Sequence, residues 1–249
     1  MDAEFGCRGP ASIDAVAHVL VDTLDDETHI DGADGHHLAR VRRLRSGERA
    51  TAADGAGQWR EYVVTDVADR GLDLRATGPV RIEARATPSL AVAFALTKGS
   101  KPEVVVRQLT ELGVDRILPV VSTRSVARPV VARVDAFAVR MRRVAREAAM
   151  QSRRAWLPEV AAPAPLVHLA GRTGLLAAEV GAPPAAALPE PPPEGWTLLV
   201  GPEGGFDPQE LAPLGQMQRL GLGPHVLRAE TAAVAGAAVL QAWRRQGEA

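Results

Sequence analysis

The chain has 249 residues, 46% of them hydrophobic and 4% aromatic, with a net charge of −1. That length allows one large domain or two modest ones, with cores built from Val, Leu and Ala. No apolar run is long enough to span a bilayer, and a single cysteine, Cys7, excludes an internal disulfide and a cysteine metal cluster.

The N-terminus, Met-Asp-Ala-Glu-Phe-Gly-Cys-Arg, is acidic and mixed, unlike a signal peptide. A cytosolic protein of bacterial type is the plain expectation. The near-neutral total hides two basic clusters, Arg40, Arg42, Arg43 and Arg45, and Arg140, Arg142, Arg143, Arg146, Arg153 and Arg154. Each is either a solvated helix face or a local phosphate-binding patch. The chain has no asparagine and only two lysines, Lys98 and Lys101. This usage suits a GC-rich coding bias that writes Arg wherever either cation serves. Both lysines sit in one short loop, where a compact ammonium is not equivalent to a guanidinium.

Residues 1 to about 85 read as strands and turns, expected to close a small β-barrel. Arg60 to Val67 is a strand candidate, preceded by the turn signal Asp54-Gly55-Ala56-Gly57. Gly71 to Ala76 is another strand, and a helical turn is expected around His36 to Leu44. His36 and His37 lack the further ligands of a zinc site, so no metal is expected. His18, His29, His168 and His225 are isolated and read as surface or core residues.

The pattern changes near Pro88. Leu90 to Leu96 is a continuous apolar run, as for a strand buried on both faces. Ser100 and Glu103 fit a capping box for a helix carrying Val105, Leu109 and Leu112, with Gly113 as its stop. Arg116 to Val121 is the next buried strand. The unit is β–α–β, which implies a parallel sheet. Phe137, Met141, Val144, Ala145 and Ala148 then recur at helical spacing. Gly174 to Glu179 and Thr197 to Val200 are further strands. Asp207 and Glu210 cap a short helix, and Thr231 opens a last helix to Arg244 rich in small residues, which suits a dimer contact.

Two glycine-bearing stretches near the C-terminus carry the chemistry: Leu198 to Phe206 (Leu-Leu-Val-Gly-Pro-Glu-Gly-Gly-Phe) and Leu222 to Thr231 (Leu-Gly-Pro-His-Val-Leu-Arg-Ala-Glu-Thr). Each sets glycine and proline beside a short apolar run, as in loops where main chain approaches a ligand closely. The first follows a strand, but it lacks the G-x-G-x-x-G spacing of dinucleotide sites and the Gly-Lys-Ser/Thr of phosphate loops. NAD and ATP are therefore disfavoured, and a small-molecule pocket built from main chain is expected.

These strings resemble the SPOUT-class RNA methyltransferases, and within them the RsmE family of 16S ribosomal RNA uracil-N3 methyltransferases. The resemblance also runs through His37 to Glu48, Thr110 to Val114, Ser122 to Val126 and Glu147 to Arg154, in family order over most of the chain. It implies an α/β fold class with a PUA-like RNA-binding β-barrel over 1–85 and a SPOUT domain over 86–249 with a trefoil knot. It further implies a homodimer, the small ribosomal subunit or its 16S RNA as partner, and S-adenosylmethionine (SAM) as cofactor. The cofactor residues it implies are Leu199, Val200, Gly201, Pro202, Glu203, Gly204, Leu222, Gly223, Val226 and Leu227. Glu203 either contacts the ribose or sulfonium, or caps the region after the loop. Bulk at Gly204 is expected to block the cofactor.

For catalysis the resemblance points to Arg154, Glu147 and Arg228. Arg154 matches best the arginine of the family string Gln-Ser-Gly-Arg, in which Arg153 here replaces glycine. Glu147 is a base, an orienter of an arginine, or an i,i+4 partner of Arg143. Arg40, Arg42, Arg43, Lys98, Arg124 and Arg153 are the expected RNA contacts.

Overall fold

The computed structural model describes residues 9–97, 99, 101–124 and 134–246. The chain forms two compact units. The first runs to Arg85 and takes in Ala149–Leu157; the second comprises Ala86–Ala148 and the chain from Pro158 onward. Segment 149–157, which the sequence reading leaves in the second domain, thus packs with the first.

The first unit is a six-stranded sheet of β1 (Ala17–Leu20), β2 (Glu27–Ile30), β3 (Arg49–Ala53), β4 (Gln58–Ala68), β5 (Gly71–Ala76) and β6 (Arg81–Ile82). The order is β1-β3-β4-β5-β2, with β6 on β4. Only β1 and β3 run parallel. All five main strands send side chains into one cluster, including Val19, Ile30, Ala52, Tyr62 and Leu74, so the sheet closes around its own core. A helical turn, α1 (Gly32–His36), continues through a wider turn at His37–Val41 and adds Leu38 to that core.

The β3–β4 turn forms as its residues dictate. Asp54 Oδ1 accepts from the amides of Ala56 and Gln58 at 2.7 and 3.0 Å. Gly57 has φ +100°, and a Cβ there would lie 2.3 Å from the Trp156 ring. The 149–157 segment is held to this turn by backbone bonds from Gly57 N to Ala155 O and from Leu157 N to Gly55 O.

The second unit is an all-parallel sheet of β7 (Leu90–Ala95), β8 (Arg116–Val121), β9 (Glu159–Val160), β10 (Ala164–Pro165), β11 (Leu175–Ala178), β12 (Trp196–Val200) and β13 (Gln218–Leu220). The order is β10-β8-β7-β12-β11-β13, with β9 also on β8. In β7 every residue is buried. Leu90, Val92 and Phe94 join the larger core, with α2 (Lys101–Glu111), α3 (Val134–Ser152) and α5 (Ala229–Gln246). Ala91 and Ala93 face a second cluster with Leu166, Leu199 and Leu214.

Gly113 (φ +85°) ends the α2 segment as expected, whereas Ser100 of the expected capping box lies outside the described residues. Thr231 is not a cap: α5 begins two residues earlier, at Ala229. Its small residues also have a use within the chain. Ala233 and Ala237 are fully buried, and a Cβ on Gly236 would lie 2.5 Å from the Leu198 side chain. They let the helix lie close on β12.

A buried ion pair ties the far end of α5 to the sheet. Arg244 Nη1 donates to Asp115 Oδ2 at 2.8 Å, and both side chains are at most 7% exposed. The same carboxylate oxygen accepts from Leu90 N, and the guanidinium also reaches Gln241 Oε1 and the carbonyls of Pro88 and Gly113. Full satisfaction of both ions is what makes their desolvation tolerable.

Candidate cofactor site

A cavity of about 520 Å³ opens where β11, β12 and β13 end. Carboxyl ends of parallel strands are where such sheets bind ligands, and the volume suits a nucleoside-sized molecule. Three stretches wall it: Ala177–Val180 at the end of β11, Leu199–Phe206 with Gly204 excepted, and Leu222–Ala229 with Pro224 excepted.

The first loop is shaped by its glycines and its cap. A Cβ on Gly201 would lie 3.1 Å from the Phe206 ring, so the absent side chain lets Phe206 fold back over the strand end. Gly205 (φ +70°) closes a turn by donating to Pro202 O at 2.8 Å. Asp207 then caps α4 (Pro208–Leu211), accepting from Gln209 N at 2.9 Å while Glu210 reaches back to the Asp207 amide. Glu210 also accepts from Thr123 N and Oγ1 at 2.8 and 2.6 Å. This fastens the loop after β12 to the end of β8.

The second loop leaves β13 with Gly221 against the 182–183 backbone: its amide donates to Pro183 O, and a Cβ would lie 2.0 Å from Ala182 O. Leu222 and Leu227 turn partly inward, while Val226 is 87% exposed at the rim. Apolar walls thus flank exposed loop main chain, and the cavity-lining residues include four that are ionisable: Glu179, Glu203, His225 and Arg228. Such a site can clasp a flat heterocycle between leucines, hydrogen-bond its edge with backbone groups, and meet a zwitterionic tail with opposite charges. No cluster of three metal-ligating side chains occurs among the described residues.

The structure brings together nine of the ten expected cofactor residues: Leu199, Val200, Gly201, Pro202, Glu203, Leu222, Gly223, Val226 and Leu227. Gly204 is the exception. Its carbonyl accepts from Arg124 Nη1 at 3.0 Å, and a Cβ there would meet only Arg124, at 3.9 Å. A methyl at Gly204 is thus not crowded by the chain. The end of β11 and His225 were missed. A four-residue apolar strand gives no sign of which end meets a ligand until its sheet neighbours are known.

The other expected residues are scattered. Arg228 is exposed in the cavity wall. Glu147 is exposed and pairs with Arg143 at 3.5 Å, the i,i+4 alternative. Lys98 lies outside the described residues. Arg124 is committed to Gly204 O and to Asp207 at 3.7 Å. In the first unit, Arg40 pairs with Asp69 at 2.9 Å, Arg42 donates to Val16 O at 2.7 Å, and Arg43 is exposed with φ +55°.

Arg153 and Arg154 both belong to the first unit. Arg153, at φ +55° just past the end of α3, turns back and donates to the carbonyls of Ile13 and Ala15. Its guanidinium is engaged by these carbonyls of the protein itself. The Arg154 carbonyl accepts from His18 Nε2 at 3.2 Å, and its guanidinium lies close enough to Glu83 to draw that carboxyl's pKa down against the larger upward push of burial.

Comparison with known proteins agrees with this anatomy. Residues 85–241 match the model of the RNA methyltransferase domain, and residues 30–76 that of the RNA methyltransferase PUA domain. Ribosomal RNA small subunit methyltransferase E of Mycobacterium bovis is 36% identical over 86% of either chain. The Bacillus subtilis protein of that name is 27% identical over 82% of this chain and 85% of its own. A Legionella pneumophila structure with bound SAM superposes with a TM-score of 0.80 at 26% identity, covering 93% of this chain and 98% of that one. The Neisseria gonorrhoeae methyltransferase E structure, at 22% identity and TM-score 0.78 over 91% and 97%, shares the fold. The chain belongs to the family of ribosomal RNA small subunit methyltransferase E, a PUA domain joined to a SPOUT-type RNA methyltransferase domain.

Proposed function

We propose that this protein transfers the methyl group of SAM to N3 of a uridine in 16S ribosomal RNA of the small subunit, as a homodimer whose second unit is threaded through a trefoil knot. The observation that carries the reading is the cavity at the ends of β11, β12 and β13, with leucine walls, main-chain edges and ionisable residues of both signs. These features fit SAM: Leu222 and Leu227 suit the adenine faces, the loop backbones, that of Leu199 included, its edge, and Glu203 its ammonium. SAM supplies a methyl group on a cationic sulfur.

The chain's own task is then the acceptor. Uracil N3 is a poor nucleophile while protonated, so the base must leave its pairing and its anion must be stabilised. Arg228 stands in the cavity wall, where its fixed charge can meet charge developing on a uracil oxygen. Arg154 is proposed for the same duty, and Glu147 for orienting an arginine. On the barrel, Arg43 and Arg40 are proposed to grip the RNA backbone. Among the described residues Arg40 is held by an exposed ion pair with Asp69, which is worth little and is readily exchanged for a phosphate.

The test is methyl transfer from labelled SAM to small subunits lacking their native methylations, followed by nucleoside mass spectrometry. New 3-methyluridine is expected. A different methylated nucleoside moves the acceptor atom, and failure to bind SAM overturns the reading.

A further inference from the structure

Lys101 is one of two lysines in a chain that otherwise carries arginine. It stands at the first residue of α2, just past the C-terminal edge of β7, the strand paired with cavity strand β12. A cation at a helix N-terminus opposes the helix dipole, so packing alone does not favour it there. Its Nζ lies 2.9 Å from Glu230 Oε1. Glu230 is the residue after Ala229 and the second after Arg228, both in the cavity wall. The second oxygen, Oε2, is buried and has no hydrogen-bond partner among the described residues, and neither has the buried hydroxyl of Thr97 at the end of β7. Among the described residues Arg228 also bears on Glu230, and Glu103 of the same helix is bound by Arg140 of α3 at 3.2 Å. Burial pushes the Glu230 carboxyl up, but its bond to Lys101, aided by Arg228, outweighs that and holds it below the ordinary value. Glu230 is therefore ionised at neutral pH.

Resting on the uridine-N3 reading, we infer that the Lys101 ammonium, oriented by Glu230, is a further cation that meets a carbonyl oxygen of the acceptor uracil as N3 loses its proton. The N3–H bond breaks and the proton passes to water. The electron pair left on N3 forms the bond to the methyl carbon, and the S–CH3 pair returns to sulfur. Lys101 forms no bond; it makes N3 more acidic. A compact ammonium with three donors can serve Glu230 and a uracil oxygen at once, which explains why lysine persists here.

The test is the pH–rate profile of Lys101→Gln, with Lys101→Arg and Glu230→Gln beside it, on RNA carrying uridine or the more acidic 5-fluorouridine. Lys101→Gln is expected to slow transfer near neutral pH by on the order of 10²-fold at unchanged SAM affinity. The deficit should shrink as pH rises and shrink again on 5-fluorouridine RNA. Glu230→Gln should show a smaller deficit of the same kind, and Lys101→Arg should retain part of the rate. A deficit equal at every pH and on both RNAs, or none, overturns the inference. A wild-type product other than 3-methyluridine overturns the uridine-N3 reading and this inference with it.

Discussion

Acid should weaken the first unit through one buried imidazole. His18 in β1 is 5% exposed. Its Nε2 faces the Arg154 carbonyl at 3.2 Å, which can only accept, so Nε2 carries the hydrogen and Nδ1 accepts from the Thr51 hydroxyl at 2.8 Å. Both bonds belong to the neutral ring. Burial, with the Arg153 guanidinium nearby, pushes its pKa from 6.5 down to about 4. A histidine with a depressed folded pKa contributes stability that is present above its unfolded value, near 6.5. That stability is lost as pH falls from there through about 4. The displacement corresponds to roughly 3 kcal/mol, a large share of a domain's stability.

Two groups in the same unit work the other way. Burial raises the Glu83 pKa, so acidification relieves an unfavourable charge there. His29 is raised by its 2.6 Å contact with Asp73, a surface pair that is strongest below 6.5 and, being exposed, small. Both remain in His18→Gln, whose amide can still donate to Arg154 O. The difference between wild type and variant therefore isolates the imidazole. The assay is urea unfolding at steps from pH 7 to pH 4.5, with the His18 ring followed by NMR. Wild type should lose stability more steeply than the variant across that range. Equal slopes, or a His18 ring that titrates near 6.5 in the folded protein, would refute the argument.

Arg244→Met should cost about 3–5 kcal/mol in urea unfolding, because it leaves the Asp115 carboxylate buried without its counter-ion; a loss under about 1 kcal/mol would show that water reaches Asp115 in the folded protein. Gly201→Ala should weaken SAM binding in calorimetry, since the new Cβ presses the Phe206 ring at 3.1 Å, while Gly204→Ala should not; equal effects would remove that distinction. Arg153→Gly relaxes about 1–2 kcal/mol of backbone strain but loses two charge-assisted hydrogen bonds worth roughly 1.5–3 kcal/mol each. A net loss of roughly 1–5 kcal/mol is expected from thermal or urea unfolding, and a gain would mean those bonds contribute nothing. Arg154→Ala should cut turnover much more than SAM affinity; abolished SAM binding would contradict its proposed role.

The strands visible in the sequence were those whose own composition decides them. Leu90–Ala95 and Trp196–Val200 are buried along their whole length, so the first reads as a continuous apolar run and the second as one broken by Thr197 alone. Asp54 and Gly57 announce their turn because the bonds are local. Ala17–Leu20, Arg49–Ala53 and Gln218–Leu220 announce nothing. Their residues are small, mixed or few, and only pairing with distant strands makes them strands. The cavity followed the same division. Its glycine loops were legible because a main-chain wall requires glycine, whereas Ala177 and Ala178 line it only by being where β11 stops beside β12. The proposed knot would leave no residue pattern at all, since a knot is a property of the order in which segments thread.

Arg153 and Arg154 show how far the site itself escapes a linear reading. Two adjacent arginines at the end of a basic helix look interchangeable in sequence, and both invite an RNA phosphate. The end of α3 separates them. The left-handed position just past the helix falls on Arg153, and its reversed backbone sends that guanidinium to the carbonyls of Ile13 and Ala15. Glycine is the residue such a position favours, so an arginine in its place needs compensation, and the two carbonyls supply it. One cation is thereby used to close the barrel unit, and its neighbour lies by Glu83 with its carbonyl fixed by His18. The charge proposed for catalysis is thus held by a backbone whose position depends on the arginine before it. Arg153, bonded to the carbonyls of Ile13 and Ala15, is therefore expected to influence turnover through the geometry of Arg154.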